Sequence, residues 1–384
     1  MNKIPYGKQE VLAEDIEAVE KVLKSDFLTQ GPLVDQFEND FAKLVSSRFA
    51  VSVNNATAGL HLSVLALGLK PGQKVLCPTI SFVASANCIR YAGGEVEFVD
   101  IDPSTYCIDI QEVEKKLLGS PQDTYAGIII VHLAGYPANT EELSQVVRKY
   151  DLWIIEDSCH APGAKFLDSK NNWSLVGSCD YSDISVFSFH PVKHICTGEG
   201  GMITTQRPEI FQNLLKLRSH GIERNPARTK AYHGGWYYEM QQLGFNYRLP
   251  DILCALGISQ IKRLNHNLKR RNEIADRYDR ELPVTITRPS RDSNIFHAFH
   301  LYIIQSDRRN ELYEHLKTRN IYSQIHYIPI HQQPYYVERY GSQLLQNSQN
   351  YYSRALSLPM YHSLTEVDQA SVIREVASFF KGKN

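Results

Sequence analysis

Residues 140–160 read TEELSQVVRKYDLWIIEDSCH. Thr140–Tyr150 patterns as a helix, and Leu152–Ile155 is an apolar run of the kind expected of a strand covered on both faces. That strand runs directly into Glu156, Asp157, Ser158, Cys159 and His160. A helix, a buried strand and an acidic strand end point to an α/β layer architecture with its chemistry beyond the strand's carboxyl end.

The same alternation extends outward in both directions. Ala50–Val53, Lys74–Cys77, Glu95–Val99, Gly127–Val131, Ile184–Phe187 and Met202–Thr204 read as further strands. Ala58–Leu67, Phe82–Tyr91 and Glu209–Arg218 read as helices between or after them. A mostly parallel sheet between helices follows. From Pro250 the pattern changes. Ile252, Leu256, Ile261, Leu264 and Leu268 predict one long helix to about Leu282, where Pro283 ends it. Beyond it, strands are expected at His300–Gln305 and Tyr322–Ile325, and helices at Asn310–Arg319 and Glu366–Phe380. The expected organisation is a large domain over residues 1–250, with an N-terminal segment 1–32, and a smaller α/β domain over 251–384.

Composition narrows the class of protein. The 384 residues carry 41 Lys+Arg against 42 Asp+Glu, a net charge of −1, which lacks the basic excess that nucleic acid or an anionic membrane demands. Seven cysteines with no C-x-x-C pair form neither a disulfide framework nor a zinc ribbon. The first residues, MNKIPYGKQE, lack a signal-peptide layout, and no apolar stretch approaches the ~20 residues of a membrane span, so a cytoplasmic location is expected. His190 and His194 are spaced i, i+4 but straddle Pro191 without a third ligand, so no metal site is expected.

An acidic residue such as Asp157 at a strand end commonly caps the following helix. Its alternative role depends on Lys193, in the string SFHPVKHICTGEGG after the strand Ile184–Phe187. A Schiff-base lysine needs an enclosed polar loop, and a carboxylate facing a pyridine nitrogen keeps that nitrogen protonated. Asn55-Ala56-Thr57-Ala58 opens a helix after a strand, which suits a phosphate, and Ser188 adds a hydroxyl. Phe82 offers a ring to stack on a pyridine.

The ordered set NNATAGLHL, PTISFVASAN, EDSCHAPGA, SFHPVKHICTGEGG, LRSHGI, GFNYRL and IHYIPI resembles the DegT/DnrJ/EryC1/StrS family of sugar-nucleotide aminotransferases. The resemblance covers nearly the whole chain and implies a fold-type-I, pyridoxal 5'-phosphate-dependent transferase. It implies that Lys193 is the covalent lysine, Asp157 the partner of the pyridine nitrogen, and His160 the neighbour of the ring's 3-hydroxyl. Phe82 matches the stacking ring; Ala56, Thr57 and Ser188 match the phosphate cradle. Asn246 matches a residue that reaches the adjacent subunit's site, implying a homodimer with shared active sites. Asn55-Ala56 stands where the family often has Ser-Gly.

IPYGKQ, SDFLTQGP, SFHPVK and IHYIPI resemble the branch serving pseudaminic acid biosynthesis. That branch implies amination at C4 of a UDP-linked 4-keto-6-deoxy-N-acetyl-hexosamine of the L-altrosamine type, with L-glutamate as donor. Tyr6, Asp26, Phe27, Leu28, Thr29, Ala56, Ser188, Asn246, Gln324, Ile325, His326 and Tyr327 would then contact substrate. The alternatives are another nucleotide 4-ketosugar (perosamine or 4-amino-arabinose type), or a non-catalytic sugar-nucleotide-binding regulator. In the family's dehydratase branch histidine replaces the lysine, so Lys193 argues against it.

Overall fold

Runs without polar alternation become strands that are inaccessible on both faces. Ile128, Ile129, Ile130, Ile154 and Ile155 are all fully buried. The computed structural model describes residues 3–381. Helices α1 (Ala13–Leu23) and α2 (Pro32–Val45) lead into β1 (Phe49–Val53). There follow α3 (Ala56–Ala66), β2 (Lys74–Pro78), α4 (Ala84–Tyr91), β3 (Glu95–Val99), α5 (Ile110–Leu118), β4 (Tyr125–Val131), α6 (Thr140–Val147) and β5 (Trp153–Asp157). A small hairpin, β6 (Lys165–Leu167) and β7 (Trp173–Leu175), precedes β8 (Ile184–Ser188), β9 (Gly201–Thr205) and α7 (Pro208–Arg218). The two-residue strands β10 (Ile222–Glu223) and β11 (Glu239–Met240) then lead to α8 (Asp251–Ile261) and α9 (Leu264–Glu281).

The central sheet has seven strands in the order β1-β9-β8-β5-β4-β2-β3. Neighbours from β3 through β8 run parallel, whereas β9 is antiparallel to both β8 and β1. The carboxyl ends of β1, β2, β4, β5 and β8 therefore share one edge with the start of β9. The segments carrying Asn55–Thr57, Phe82, Asp157–His160 and Lys193 all leave from that edge.

The C-terminal part comprises β12 (Ile295–Phe296), β13 (Tyr302–Gln305), α10 (Arg309–Thr318), α11 (Pro334–Tyr340), α12 (Gln346–Arg354), β14 (Ala355–Leu358) and α13 (Glu366–Lys381). Its core gathers Ile274, Tyr278, Tyr302, Ile304, Leu312, Leu356 and Val376 around the β13–β14 pair. Ile4, which the sequence reading places with the 1–250 domain, joins this core. Its N–H donates to Asn320 O at 2.9 Å and its carbonyl accepts from Tyr322 N at 2.8 Å.

Two expectations are corrected. The long helix from Pro250 to Leu282 is broken at Lys262 and Arg263. Arg263 is drawn aside because its guanidinium bonds both carboxylate oxygens of Asp15 and the carbonyl of Glu10. Tyr322–Ile325 forms no strand of its own. It is anchored by single bridges, Ile4 to Ile321 and Gln324 to Ser357. Among the described residues no helix is long and apolar enough to cross a membrane.

Arg271 on α9 is fully buried, and its guanidinium donates to the carbonyls of Phe299 (2.9 Å), His300 (3.3 Å) and Met360 (3.0 Å). Burial pushes its pKa down to about 9. The N–H of Met360 in turn donates to Tyr6 O at 2.9 Å. One side chain thus ties α9 to the segment around Phe299 and, through Met360, to the N-terminal segment.

Candidate active site

β5 ends at Asp157, where β4 also ends while β8 runs on to Ser188. Val131 of β4 and Val186 of β8 lie opposite it. The Asp157 carboxylate is buried and held at both oxygens. Oδ2 accepts from the Ser85 hydroxyl at 2.6 Å and Oδ1 from the Cys159 N–H at 3.2 Å. Its main-chain carbonyl accepts from the His132 N–H at 3.2 Å. The His132 ring accepts from Ala138 N–H on Nδ1 (2.9 Å), so its proton sits on Nε2 and goes to Glu156 (2.8 Å).

The turn after β5 brings His160 back under the edge. Burial drives its pKa well below the usual histidine range, and Lys193, His326 and His194 add to the effect. The ring is therefore neutral. Nδ1 accepts from the Ala134 N–H at 3.2 Å, which leaves the proton on Nε2 to be donated to the Tyr327 hydroxyl at 3.1 Å. The His300 ring packs on the other side at 4.3 Å between centroids.

Lys193 lies half-buried in the loop between β8 and β9. Phe189 N–H to Gly200 O (2.9 Å) and Thr197 N–H to Phe189 O (2.9 Å) close that loop, and His194 Nε2 donates to Ala298 O at 2.9 Å. Burial lowers the Lys193 pKa, while Cys159 and Asp157 pull it partly back. An amine eased toward its neutral form is suited to nucleophilic and base chemistry.

The phosphate-sized cradle lies next along the edge. Asn55 caps α3, its Oδ1 accepting from the Ala58 N–H at 2.8 Å. The N–H groups of Ala56 and Thr57 occupy the first turn, where helix geometry supplies no internal partner. Gly201 faces them from β9, paired with Ser188 of β8. A Cβ on Gly201 would sit 2.8 Å from Ala56 N, 2.8 Å from Asn55 C and 3.0 Å from Phe187 O, all rigid backbone. The site fits an anionic group at a helix start, with the Ser188 hydroxyl beside it. Gly201→Ala is expected to cost about 1–3 kcal/mol of stability and to weaken pyridoxal phosphate binding. Thermal melts and cofactor titration of the apoprotein check both, and unchanged affinity would contradict the cradle.

The remaining residues divide into two sets. Phe82 is exposed, with its ring 6.2 Å from that of Tyr327, and the Tyr6 ring lies 5.3 Å from that of His326. Both therefore border the cluster. Asp26, Phe27, Leu28 and Thr29 are all exposed in the link between α1 and α2, and Asp26 and Phe27 line a groove with Val22, Leu33 and Ile258. Asn246 and Gln324 are also exposed, and Ile325 is half-buried. No described hydrogen bond joins any of these seven residues to Lys193 or Asp157.

Sequence reasoning missed Ser85, His132, His194 and His300 as supports of the site. Ser85 stands one turn after Phe82 in SFVASAN, so the motif contained it. The histidines gave no signal of this role, because what they meet is set by the fold: Glu156 and a main-chain N–H for His132, the Ala298 carbonyl for His194, and the rings of His160 and His194 for His300.

The chain matches the profile of the DegT/DnrJ/EryC1/StrS aminotransferase family over residues 9–377. It belongs to that family. Among relatives, the UDP-4-amino-4,6-dideoxy-N-acetyl-beta-L-altrosamine transaminase of Campylobacter jejuni (strain 81-176) is 36% identical over 372 residues, spanning 95% of this chain and 94% of its own. Among solved structures, Helicobacter pylori PseC, an aminotransferase involved in the biosynthesis of pseudoaminic acid, superposes with a TM-score of 0.90 at 28% identity, covering 99% of this chain and 100% of that one. The PLP form of the putative sugar aminotransferase Spr1654 from Streptococcus pneumoniae gives 0.89 at 25% identity, covering 99% of each chain. As a DegT/DnrJ/EryC1/StrS protein, this chain is an α/β, PLP-dependent sugar aminotransferase.

Proposed function

We propose that this aminotransferase adds the amino group at C4 of a UDP-linked 4-keto-6-deoxy-N-acetyl-hexosamine of the L-altrosamine type, with L-glutamate as donor. The observation that carries the reading is the 36% identity, over nearly the full length of both chains, to the altrosamine transaminase. The pathway is that of pseudaminic acid, and the location is the cytoplasm.

The residue roles in this reading are those the family resemblance implies, and the geometry of the sheet edge supports them. The Ala56 and Thr57 N–H groups and the Ser188 hydroxyl hold the cofactor phosphate, and Phe82 covers the ring. Pyridoxal phosphate, when bound, supplies the electron sink that makes the donor's α-carbon acidic. Asp157 holds the proton of the pyridine nitrogen. His160 orients the ring from the side of its 3-hydroxyl, with its own tautomer set by Ala134. Lys193 Nζ would be the covalent anchor at rest; once freed, it would take the proton from the donor's α-carbon and deliver it to the cofactor's aldehyde carbon, leaving the donor as its 2-oxo acid after hydrolysis. Tyr6, His326 and Tyr327 line the sugar side. Asp26–Thr29, Gln324, Ile325 and Asn246 contact substrate or cofactor in a homodimer. The run of exposed side chains beside Asn246, with Tyr232 59%, Trp236 73% and Leu243 76% accessible, supports a second copy covering that face.

The test is a panel of UDP-, GDP- and TDP-linked 4-ketosugars with glutamate, followed by product mass and NMR. Turnover is expected with the UDP-linked N-acetyl sugar. Turnover confined to a GDP- or TDP-sugar would overturn the substrate and leave the aminotransferase class intact.

A further inference from the structure

We propose that Ser85, backed by Ser81, is a positioning pair for Asp157, aiming its carboxylate at the cofactor ring; the inference rests on the reading of Asp157 as the pyridine-nitrogen partner. Ser81 and Ser85 are both buried, at 3% and 0% exposure. The Ser85 hydroxyl lies 2.6 Å from Asp157 Oδ2 and 2.7 Å from the Ser81 hydroxyl. A serine has one hydroxyl proton, and an ionised carboxylate only accepts. The proton of Ser85 therefore goes to Asp157, and Ser85 accepts from Ser81. The result is a two-hydroxyl chain running one way, Ser81 to Ser85 to Asp157.

The chain does something the strand cannot. β5 fixes the Asp157 backbone through its ladder, but rotation about the side-chain bonds stays free. The Cys159 N–H restrains one oxygen at 3.2 Å, a distance typical of a weaker bond. The Ser85 bond is the short one, and bonds to charged groups are roughly twice as strong as neutral ones. It reaches the end of β5 across 72 residues of sequence from helix α4.

Local structure explains why Ser85 is on hand. The Ser85 N–H donates to Phe82 O at 3.2 Å, a single turn that joins Phe82, two residues ahead of α4, to Ser85 at the start of that helix. That one turn delivers the exposed ring of Phe82 and the buried hydroxyl of Ser85. Ring cover and carboxylate aim are thereby coupled through rigid backbone. A serine in a helix that satisfied only its own turn would have no reason to meet a carboxylate on the neighbouring strand.

The experiment titrates cofactor-free protein with pyridoxal phosphate, and follows the bound chromophore's absorbance across pH. Ser85→Ala is expected to weaken binding about tenfold or more and to shift the pH midpoint of the chromophore. Ser85→Thr keeps the hydroxyl and is expected to restore both. Ser81→Ala leaves the bond to Asp157 in place and is expected to weaken binding only two- to threefold. A merely structural role would lower the melting temperature of the apoprotein without moving the chromophore's midpoint, and that result overturns the proposal. Wild-type affinity and midpoint in both alanine variants would overturn it as well. Asp157→Asn separates the two readings. If it too behaves as wild type, the reading of Asp157 fails. If it weakens binding while Ser85→Ala does not, the positioning pair alone fails.

Discussion

Lys193→Ala is expected to lower kcat by about 10^4-fold or more while the protein stays folded. The size of the effect follows from losing an anchor and a positioned base together, the base alone contributing on the order of 10^2–10^4-fold. Folding should survive, because the Lys193 loop is held by groups other than the lysine side chain. Lys193 N–H donates to His190 O, Thr197 to Phe189, and His194 to Ala298, all independently of Nζ. Borohydride treatment followed by mass spectrometry should fix one cofactor per wild-type chain and none on the variant. Lys193→Arg keeps a positive charge but loses a deprotonatable amine, so it should be as inactive as alanine. Turnover within tenfold of wild type in either variant would remove Lys193 from the reaction.

The second large effect is on stability in acid. His160, His194, His297, His300 and His326 are all buried. Burial is the leading cause that lowers each pKa, with nearby cations adding to it; His297 and His326 come down to about 3. In the unfolded chain each returns to about 6.5. Between the two values the unfolded state binds more protons than the folded one. These histidines therefore leave stability undiminished above about pH 6.5 and erode it as pH falls towards their folded values. Each contributes a slope of up to about 1.4 kcal/mol per pH unit. Several acting together would consume a typical stability of 5–15 kcal/mol within a few units.

Urea melts at pH 8, 7, 6 and 5 should show a plateau and then a steep fall beginning near pH 6. Carboxylate pairs fail lower down. Glu95, held to about 2 chiefly by Arg339, loses its contribution only below the ordinary carboxylate range. Stability that stays flat to pH 4.5 would contradict the neutral buried histidines. His297→Phe, which removes one titrating ring, should reduce the slope by about one proton.

The sheet was legible because its strands are short apolar runs. Glu95–Val99 matches to the residue, and the others differ by one or two at their ends. Strand alternation predicts that Asp157, His160 and Lys193 follow strands at one sheet edge; the roles proposed for them come from the ordered motifs of the family resemblance. What escaped has a common cause in partners distant along the chain. Apolar spacing carries straight through Lys262 and Arg263, and only Asp15, far away in sequence, reveals that the helix must part there. β14 is four residues whose pairing with β13 spans some fifty positions. Ser85 looks like an ordinary helix-start serine until Asp157 is beside it.

The pairing of Ile4 with the C-terminal core bears on how such enzymes can be recombined. Residues from the beginning of the chain complete the surface on which Ile321 and Met360 rest. A crossover made only near position 250 would join the tail of one homologue to the mismatched opening residues of another. Chimeras built to exchange sugar preference should therefore transplant residues 3–7 along with the C-terminal part, treating two separated stretches of gene as one exchangeable cassette.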